Sequence, residues 1–511
     1  MSMLRRCVVT VVWTVLSVLV AGALLEGRGL GRPGGGQNYR APSRPSYTPP
    51  SRSYTPSTPS TPSRSSSYSY PSRSTNVVVV NDGSGGSVST GGGPSAGTVI
   101  VIILLVILVI WIIYVNKRKQ APERATIDVD QNLRGAGLAA LKQHDPGFDP
   151  AAFVERTKTV VAKVNEAWLG GNMGPARRVI SDGVYVRFQT QLGLLKADGL
   201  RNVMTDWRVV SADILAAVSD ALWDTVHVKI VGEARDKDVA LSLSADQARR
   251  EVGKQPLGQY HEVWSFVRRR GKKSKQGVPA LEGKCPSCGA DLPLSDVVKC
   301  EYCQALVNSG EHDWVLAEIT QPEEWRADPA VGEIDGLTQL RQRDPGVSRQ
   351  ELEDRASVVF WKWIEARATG KSEKLARFVL KSQHDPEAAS ELGIEPAKLR
   401  QVAVGSVELD DVESDGTRDH AILEIRWSAS VNGGEPRSME HVLTLARSAD
   451  ARSKHGLSSL DCPVCSGQLA NSDDVKCQYC GAALGGGKHE WALAGIELVD
   501  DGSSDGSDES E

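Results

Sequence analysis

The sequence predicts an α+β fold with two related domains, each interrupted by a four-cysteine zinc ribbon, behind N-terminal apolar segments. The motif LKQHDPG at 141–147 recurs as LRQRDPG at 340–346, and HDWVLAEI at 312–319 recurs as HEWALAGI at 489–496. In each copy helical periodicity precedes strand alternation, which is the order of an α+β domain. A repeat of this length indicates a duplicated domain and not a solenoid unit.

Composition and charge narrow the class of protein. Hydrophobic residues make up 40% of the chain, which is enough for packed cores, and the formal net charge is −5. The first 120 residues are basic, so the rest of the chain is acidic. An acidic folded part argues against a general nucleic-acid binder.

Two apolar segments near the N-terminus predict a membrane protein. Arg5 and Arg6 precede an apolar run that ends in small residues, as in a signal peptide, with an uncleaved first membrane helix as the alternative. Residues 98–115 carry no charge and would span about 27 Å as a helix. The basic residues 117–119 follow at once, which predicts that the chain beyond them is cytoplasmic.

The predicted organisation follows from these segments and from the repeat. Residues 26–97 consist largely of Gly, Pro, Ser, Thr, Tyr and Arg, a composition too poor in aliphatic side chains to fold. The predicted parts are a signal peptide or first membrane helix (1–25), a disordered extracytoplasmic segment (26–97), a transmembrane helix (98–115), a first domain (130–322) with its ribbon (283–306), a second domain (336–499) with its ribbon (460–483), and an acidic disordered tail (500–511).

Local patterns predict the elements of each domain. Asp149 caps a helix that starts at Pro150 and continues at helical spacing to Trp168, and Val184–Leu195 forms a second helix. Apolar and polar residues alternate around Val226, as in a half-buried strand. The other predicted elements are strands Trp207–Val218, Glu262–Arg270 and Asp313–Ile319, then helix Glu351–Ala368 and strands Val402–Leu409, Ala421–Ser430, His441–Arg447 and Glu490–Leu498.

Eight cysteines carry the strongest chemical signal. Both copies show the spacing C-x2-C-x11-C-x2-C, through Cys285, Cys288, Cys300, Cys303, Cys462, Cys465, Cys477 and Cys480. Four thiolates suit a tetrahedral zinc ion and leave no open position, which predicts two structural zinc sites. Gly289 and Gly481 follow one pair in each ribbon, whereas Gln304 and Ser466 follow the other. Disulfides and redox-active dithiols are the alternatives.

The residues around the first ribbon resemble a known domain. The strand sequence EVWSFVRR at 262–269 and the returning WVLAEI at 314–319 resemble the closing strands of the Tim44-like domain, and DPGFD at 145–149 resembles its start. The resemblance covers about 130–322 directly and 336–499 through the duplication. It implies a cone of helices over a curved antiparallel sheet, similar to the nuclear-transport-factor-two-like fold.

The same resemblance implies a role and a location. It implies a protein of the bacterial inner membrane, single-pass after signal cleavage, whose cytoplasmic domains bind a protein partner or lipid as a scaffold. The zinc ribbons depart from the eukaryotic pattern, so the import-motor role of the mitochondrial member is not implied.

A basic run beside the first ribbon is a candidate for contact with anionic lipid. It comprises Arg268, Arg269, Arg270, Lys272, Lys273 and Lys275. Basic residues near an anionic membrane contribute about 1 kcal/mol each. A solvated hairpin loop is the alternative.

Other functions are weighed against the scaffold. An isomerase- or hydrolase-like enzyme in the cone cavity would have Asp224 and His227 as its nearest candidates, but no paired acid and base recurs between the copies, so no enzyme is predicted. His227 is expected at the surface. His312 and His489 precede the last strands and could hydrogen-bond a metal ligand, or simply end a loop. Contact of a ribbon with nucleic acid is a third alternative.

Overall fold

The computed structural model describes most of the chain beyond Asp130. The described residues are Pro33, 39–41, 130–293, 297–326, 334–380, 392–454 and 456–499. The predicted segments 1–25 and 98–115 and the tail 500–511 lie outside them. None of the helices in these ranges has the length and apolar character needed to cross a membrane.

The first domain begins with three helices and continues as a sheet. Its elements are α1 Gln131–His144, α2 Pro150–Leu169, α3 Asp182–Ala197, β1 Leu200–Ser219, β2 Trp223–Ala240, α4 Ala245–Gly253, β3 Gly258–Arg269 and β4 Val315–Thr320. Asp149 caps α2 by accepting a hydrogen bond from the Ala151 N–H at 2.9 Å, as predicted. Gly170 takes the C-cap position. The four strands pair antiparallel in chain order, and the ribbon lies between β3 and β4.

The second domain repeats this arrangement with fewer elements. These are α5 Asp335–Arg341, α6 Arg349–Thr369, β5 Leu399–Ser414, β6 Arg418–Val431, β7 Arg437–Ser448 and β8 Ala492–Leu498, with strand order β5-β6-β7-β8. The first copy joins its second and third strands through α4, whereas the second copy uses a tight turn at Asn432 and Gly433. The mixed helix and antiparallel sheet of the predicted fold class is confirmed.

Aromatic side chains fill the space between the helices and the sheet in both domains. In the first domain the Phe153 ring packs edge-on against Phe266 and Trp314 at centroid distances of 5.6 and 5.0 Å. In the second domain Phe360 and Trp427 pack at 5.3 Å. These rings pack between helix and sheet and stabilise the core of each domain.

Buried acidic residues join the two domains. Asp182, the first residue of α3, is 1% exposed and accepts hydrogen bonds from the backbone N–H groups of Ser459 and Leu460, at 2.7 and 2.8 Å. Asp354 on α6 accepts one from the Gly183 N–H at 2.9 Å. Each domain therefore supplies a carboxylate that completes the backbone hydrogen bonding of the other.

A short N-terminal segment lies on the second domain. Tyr39 is 7% exposed, and its hydroxyl donates a hydrogen bond to Glu324 at 2.8 Å. This ordered contact corrects the prediction of disorder for residues 39–41.

The acid pair between the domains predicts a pH-dependent stability. Burial, with the charge of Asp182 second, raises the pKa of Asp354 to about 7. A carboxyl with a raised pKa favours folding fully below its unfolded pKa of about 4, and this contribution, on the order of 4 kcal/mol, is lost as the pH rises to 7. We expect Asp354→Asn to match the wild type in thermal midpoint near pH 4 and to exceed it at pH 8.

The exposed Asp213 provides the matched control. Asp213→Asn should retain the wild-type pH dependence. If Asp354→Asn also retained it, burial of the Asp354 carboxyl would not affect stability.

Candidate metal centres

The first four-cysteine cluster has the geometry of a tetrahedral metal site. The Sγ atoms of Cys285 and Cys303 lie 3.7 Å apart, and those of Cys288 and Cys300 lie 3.8 Å apart. All four sulfurs lie within 4.8 Å of one another. Four sulfurs bound at about 2.3 Å to a central ion stand about 3.8 Å apart, so the observed separations suit one metal ion.

The second cluster has the same geometry. The Sγ atoms of Cys462 and Cys480 lie 3.8 Å apart, and those of Cys465 and Cys477 lie 3.7 Å apart. In each cluster the first cysteine of each pair is buried and the second is exposed. Each cluster therefore lies at the edge of its ribbon, with two cysteines buried and two at the surface.

The backbone folds the same way at all four cysteine pairs. The residue after each pair, which is Gly289, Gln304, Ser466 or Gly481, has a positive φ between 58° and 77°. Its N–H donates to the carbonyl oxygen of the first cysteine at 2.9–3.0 Å. Glycine adopts this conformation freely, whereas Gln304 and Ser466 are strained there by about 1–2 kcal/mol. Closing the knuckle around the sulfurs outweighs that strain.

Backbone N–H groups also point at the buried sulfurs. The Ser287 N–H donates to the Cys285 sulfur at 3.4 Å, and the Val464 N–H donates to the Cys462 sulfur at the same distance. Such donors stabilise thiolates, the form in which cysteine binds a metal. The donor set therefore fits a soft divalent ion.

A buried arginine attaches each ribbon to its domain. Arg178 donates to the carbonyl oxygen of Val297 at 3.1 Å and also to that of Pro293. Arg377, at the matching place in the second copy, donates to the carbonyl oxygens of Ser472 and Asp461 at 3.0 Å. Carbonyl oxygens that would otherwise lack partners at the base of the ribbon are thereby satisfied.

The acid before each returning strand pairs with an arginine of the long helix. Arg156 on α2 forms an ion pair with Asp313 at 3.0 Å, and Arg355 on α6 forms one with Glu490 at 3.2 Å. These acids are the second residues of the repeated HDW and HEW motifs. The repeated sequence thus marks the point where the end of the ribbon is fastened to the helix.

A third repeated network surrounds the DPG motif. Arg268 forms an ion pair with Asp145 at 2.8 Å, and its guanidinium lies 4.3 Å from the centre of the Trp314 ring. Burial acts to raise the pKa of Asp145, but hydrogen bonds from Ser274 and Arg268 outweigh it and lower this pKa. The aspartate is therefore charged at neutral pH, as the ion pair requires.

The second copy repeats these contacts atom for atom. Arg447 forms an ion pair with Asp344 at 2.6 Å and lies 4.4 Å from the centre of the Trp491 ring. Ser453 replaces Ser274, and its N–H donates to Asp344 at 2.9 Å.

This network corrects the inclusion of Arg268 among the lipid-contacting residues. Arg268 is 0% exposed. Arg270 donates to the Asp220 carbonyl oxygen at 2.7 Å but is exposed, as are Lys272, Lys273 and Lys275. Only the later part of the run can therefore reach a membrane surface.

The predicted catalytic pair is not assembled. Asp224 is 0% exposed, lies 3.5 Å from Arg268 and accepts a hydrogen bond from Ser219. His227 hydrogen-bonds Ser265 and packs against Trp325 at 5.7 Å, so the expectation of a surface residue is wrong. Side chains three residues apart on a strand point to opposite faces, which separates Asp224 from His227.

His312 and His489 are the candidates for hydrogen-bond partners of the metal ligands. Within the described part of the chain, no hydrogen bond joins the ring of His312 or His489 to a cysteine. The carbonyl oxygen of His312 accepts a hydrogen bond from Lys275 at 3.4 Å.

His489 lines a small solvent-open cleft of about 50 Å³ beside the second ribbon. Two arginines of this cleft, Arg355 and Arg447, are engaged in ion pairs. The third, Arg452, donates hydrogen bonds to the carbonyl oxygens of nearby loop residues.

Sequence reasoning missed the contact between the two ribbons. The Lys299 ammonium group on the first ribbon donates to the Ser466 carbonyl oxygen on the second at 3.2 Å. Tyr302 and Tyr479 occupy matching positions between the last two cysteines of their ribbons and are 76% and 64% exposed. Val464 and Val475 on the second ribbon are 50% and 51% exposed. No pattern in one sequence predicts that two inserts lie side by side.

The fold and these sites define a duplicated α+β protein in which each antiparallel sheet carries a four-cysteine centre. Residues 134–277 match the family model of the Tim44-like domain. This match confirms the resemblance to the Tim44-like domain seen in the sequence. The match ends before Cys285, so the ribbons lie outside it.

Other comparisons add little. No curated protein matches the chain. A solved structure described as an Ntf2 like protein involved in plasmid conjugation is 10% identical, with 54% of this chain and 87% of that chain covered and a TM-score of 0.14. A likeness this weak supports no argument, so the cone-like form stays a prediction. A Tim44-like domain indicates a membrane-associated binding or scaffold role, in a family that is generally not enzymatic.

The buried ion pairs predict a matched response to mutation in the two copies. Asp145→Ala and Asp344→Ala each remove the nearer of two carboxylates from a buried arginine, since Asp224 and Asp419 remain 3.5 Å away. The loss of this charged hydrogen bond costs about 2–3 kcal/mol. Urea unfolding of each variant, followed by tryptophan fluorescence, should show this loss in the free energy of unfolding.

Asp149→Ala provides the control, because it removes a helix cap in the same segment and costs only about 1 kcal/mol. Equal effects of Asp145→Ala and Asp149→Ala would contradict a special role for the ion pair.

Proposed function

We propose that this protein is a scaffold of the bacterial inner membrane that binds a protein partner through its two ribbons. The observation that carries the proposal is the pair of exposed tyrosines, Tyr302 and Tyr479, on two ribbons that contact each other. Tyrosine is enriched in protein interfaces because its ring supplies a large contact area at little entropic cost. The Tim44-like domain supports the membrane-associated part of the role.

The two metal ions would be structural zinc. The proposed ligands are the sulfurs of the two four-cysteine clusters, Cys285, Cys288, Cys300, Cys303, Cys462, Cys465, Cys477 and Cys480, and their mutual separations support the proposal. Zinc would fix the knuckles and hold the exposed tyrosines in place. The closed ligand set favours this structural role over catalysis.

A secondary contact with anionic lipid would come from Arg270, Lys272, Lys273 and Lys275, which are exposed. Each would add about 1 kcal/mol near an anionic surface.

For the enzymatic alternative, Asp224 pairs with His144 at 2.7 Å and not with His227. The second copy has Arg343 paired with Asp419 instead, so this acid–histidine pair is not shared by the two domains.

Removal of one ligand tests the zinc sites. In Cys285→Ser we expect zinc content to fall from two ions per chain to one, because three thiolates hold zinc far more weakly than four. Cys462→Ser should have the same effect and the double variant should bind none. Zinc is measured by atomic emission on the purified full chain.

The ninth cysteine supplies the control. Cys7 lies outside the ribbons, so Cys7→Ser should keep both ions. Two zinc ions in Cys285→Ser, or none in the wild type, would contradict the assignment.

Loss of the exposed rings tests partner binding. The full chain is crosslinked in its native membrane and captured proteins are identified by mass spectrometry. In the double variant Tyr302→Ala, Tyr479→Ala, capture of the specific partner should fall at least tenfold, since an interface tyrosine contributes about 2 kcal/mol or more. Zinc content should stay at two.

Val210→Ala is the matched control, because Val210 is an exposed apolar residue on β1, 48% accessible and outside the ribbons. Capture should be unchanged in that variant. Unchanged capture in the double tyrosine variant would remove the ribbons from the interface.

A further inference from the structure

A three-residue segment near the N-terminus occupies a formed site on the second domain. The Tyr39 hydroxyl donates to Glu324 Oε1 at 2.8 Å, and the backbone N–H of Arg40 donates to Ser428 Oγ at 3.1 Å. Glu324 is 1% exposed and Ser428 is 0% exposed. The segment therefore meets polar atoms that are held deep in the fold and not on mobile surface side chains.

The site is shaped around the tyrosine ring. Gly405, at a bulge of β5, lies directly under the ring, and a Cβ at this position would lie 2.4 Å from a ring carbon. The Gly405 carbonyl oxygen accepts a hydrogen bond from the Gln321 N–H at 2.8 Å, which fixes the strand there. A side chain at residue 405 would therefore displace the ring.

A buried ion pair holds the acceptor in position. Glu324 Oε2 lies 3.4 Å from the Arg426 guanidinium, while Oε1 faces the Tyr39 hydroxyl. Glu324 belongs to the short segment that joins the two domains. The tyrosine is thus bound at a point where the domain linker and the second sheet meet.

We propose that this site is an internal docking site for the Tyr39 segment of the same chain. The occupant is the chain's own segment because Tyr39, Arg40 and Ala41 are seated in the site with both hydrogen bonds formed. Residues 42–129, which connect the segment to the first domain, are long enough to reach from any direction.

Docking within one chain constrains the membrane topology. Tyr39 and the second domain must lie on the same side of the bilayer, so the chain between them crosses it an even number of times or not at all. Residues 98–115 form the one long apolar run of residues 42–129. A single crossing by this run is incompatible with the docking.

Photocrosslinking in living cells tests the proposal. Ala41, the exposed residue two positions after the docked ring, is replaced by p-benzoylphenylalanine in the full chain, which leaves Tyr39 unchanged. A protease site is placed within residues 57–63. After irradiation and cleavage, we expect the N-terminal fragment to remain covalently joined to peptides that contain Glu324, Gly405 or Ser428. The joined fraction should fall at least fivefold in Gly405→Val, which fills the site.

Gly495→Val is the matched control. Gly495 lies on β8 of the same domain, and a Cβ there meets no atom within 4 Å, so the crosslink should persist. The thermal midpoint of both variants confirms that they fold. Retention of the crosslink in a folded Gly405→Val variant would overturn the proposal.

Two further outcomes would also overturn it. Co-expression with a chain of different length would reveal docking between two copies as a product of summed mass. Crosslinks to other proteins alone, with none to the second domain, would show that the segment does not dock and would restore the single crossing at 98–115. Neither outcome affects zinc content or partner capture by the ribbons, which are measured separately.

Discussion

Each domain depends on a buried ion pair between an arginine at the end of its third strand and an aspartate before its long helix. Arg268 and Arg447 lie near the ends of β3 and β7, the strands that precede the two ribbons. Each guanidinium packs on the tryptophan that follows its ribbon, Trp314 or Trp491. The same guanidinium binds the aspartate that precedes the long helix. One side chain therefore connects the start of the long helix with the two ends of the ribbon.

This constraint explains why a metal-binding insert is compatible with the core. An insert between two paired strands separates them in sequence, and closing the resulting loop costs entropy. The ribbon lowers this cost by folding around its own sulfurs, and the arginine fixes both of its ends. A structural metal ion at each insert would then stabilise the last strand pair as well as the ribbon.

Features that are defined by a fixed spacing of residues could be predicted from the sequence. The cysteine pairs and the repeated motifs depend on local geometry, so they could be read from one chain. Arg268 was misassigned because its neighbours form a basic run, although Trp264, Phe266 and Arg268 share one face of β3, and this alternation predicts an inward side chain. Helix α4 was missed although Ser244 and Gln247 form a capping box at its start.

Contacts between distant segments could not be read in this way. Alternation correctly placed His227 on the face opposite the apolar set, but Trp325 from the domain linker covers that face. The Lys299 contact between ribbons depends on how the two domains pack, and one sequence contains no pattern for that.

The linker between the domains ties these distant contacts together. Gln321 donates to Gly405 on the second sheet, Glu324 accepts from Tyr39, and Trp325 packs on His227 of the first sheet. Burial, with Arg349 second, lowers the pKa of His227 to about 4, so this ring is neutral where the linker covers it. Because three of the five residues 321–325 make these contacts with both sheets and the N-terminal segment, a change in the angle between the domains would alter the site of Tyr39. The docking of that segment and the packing of the two domains are therefore coupled through a single short stretch of chain.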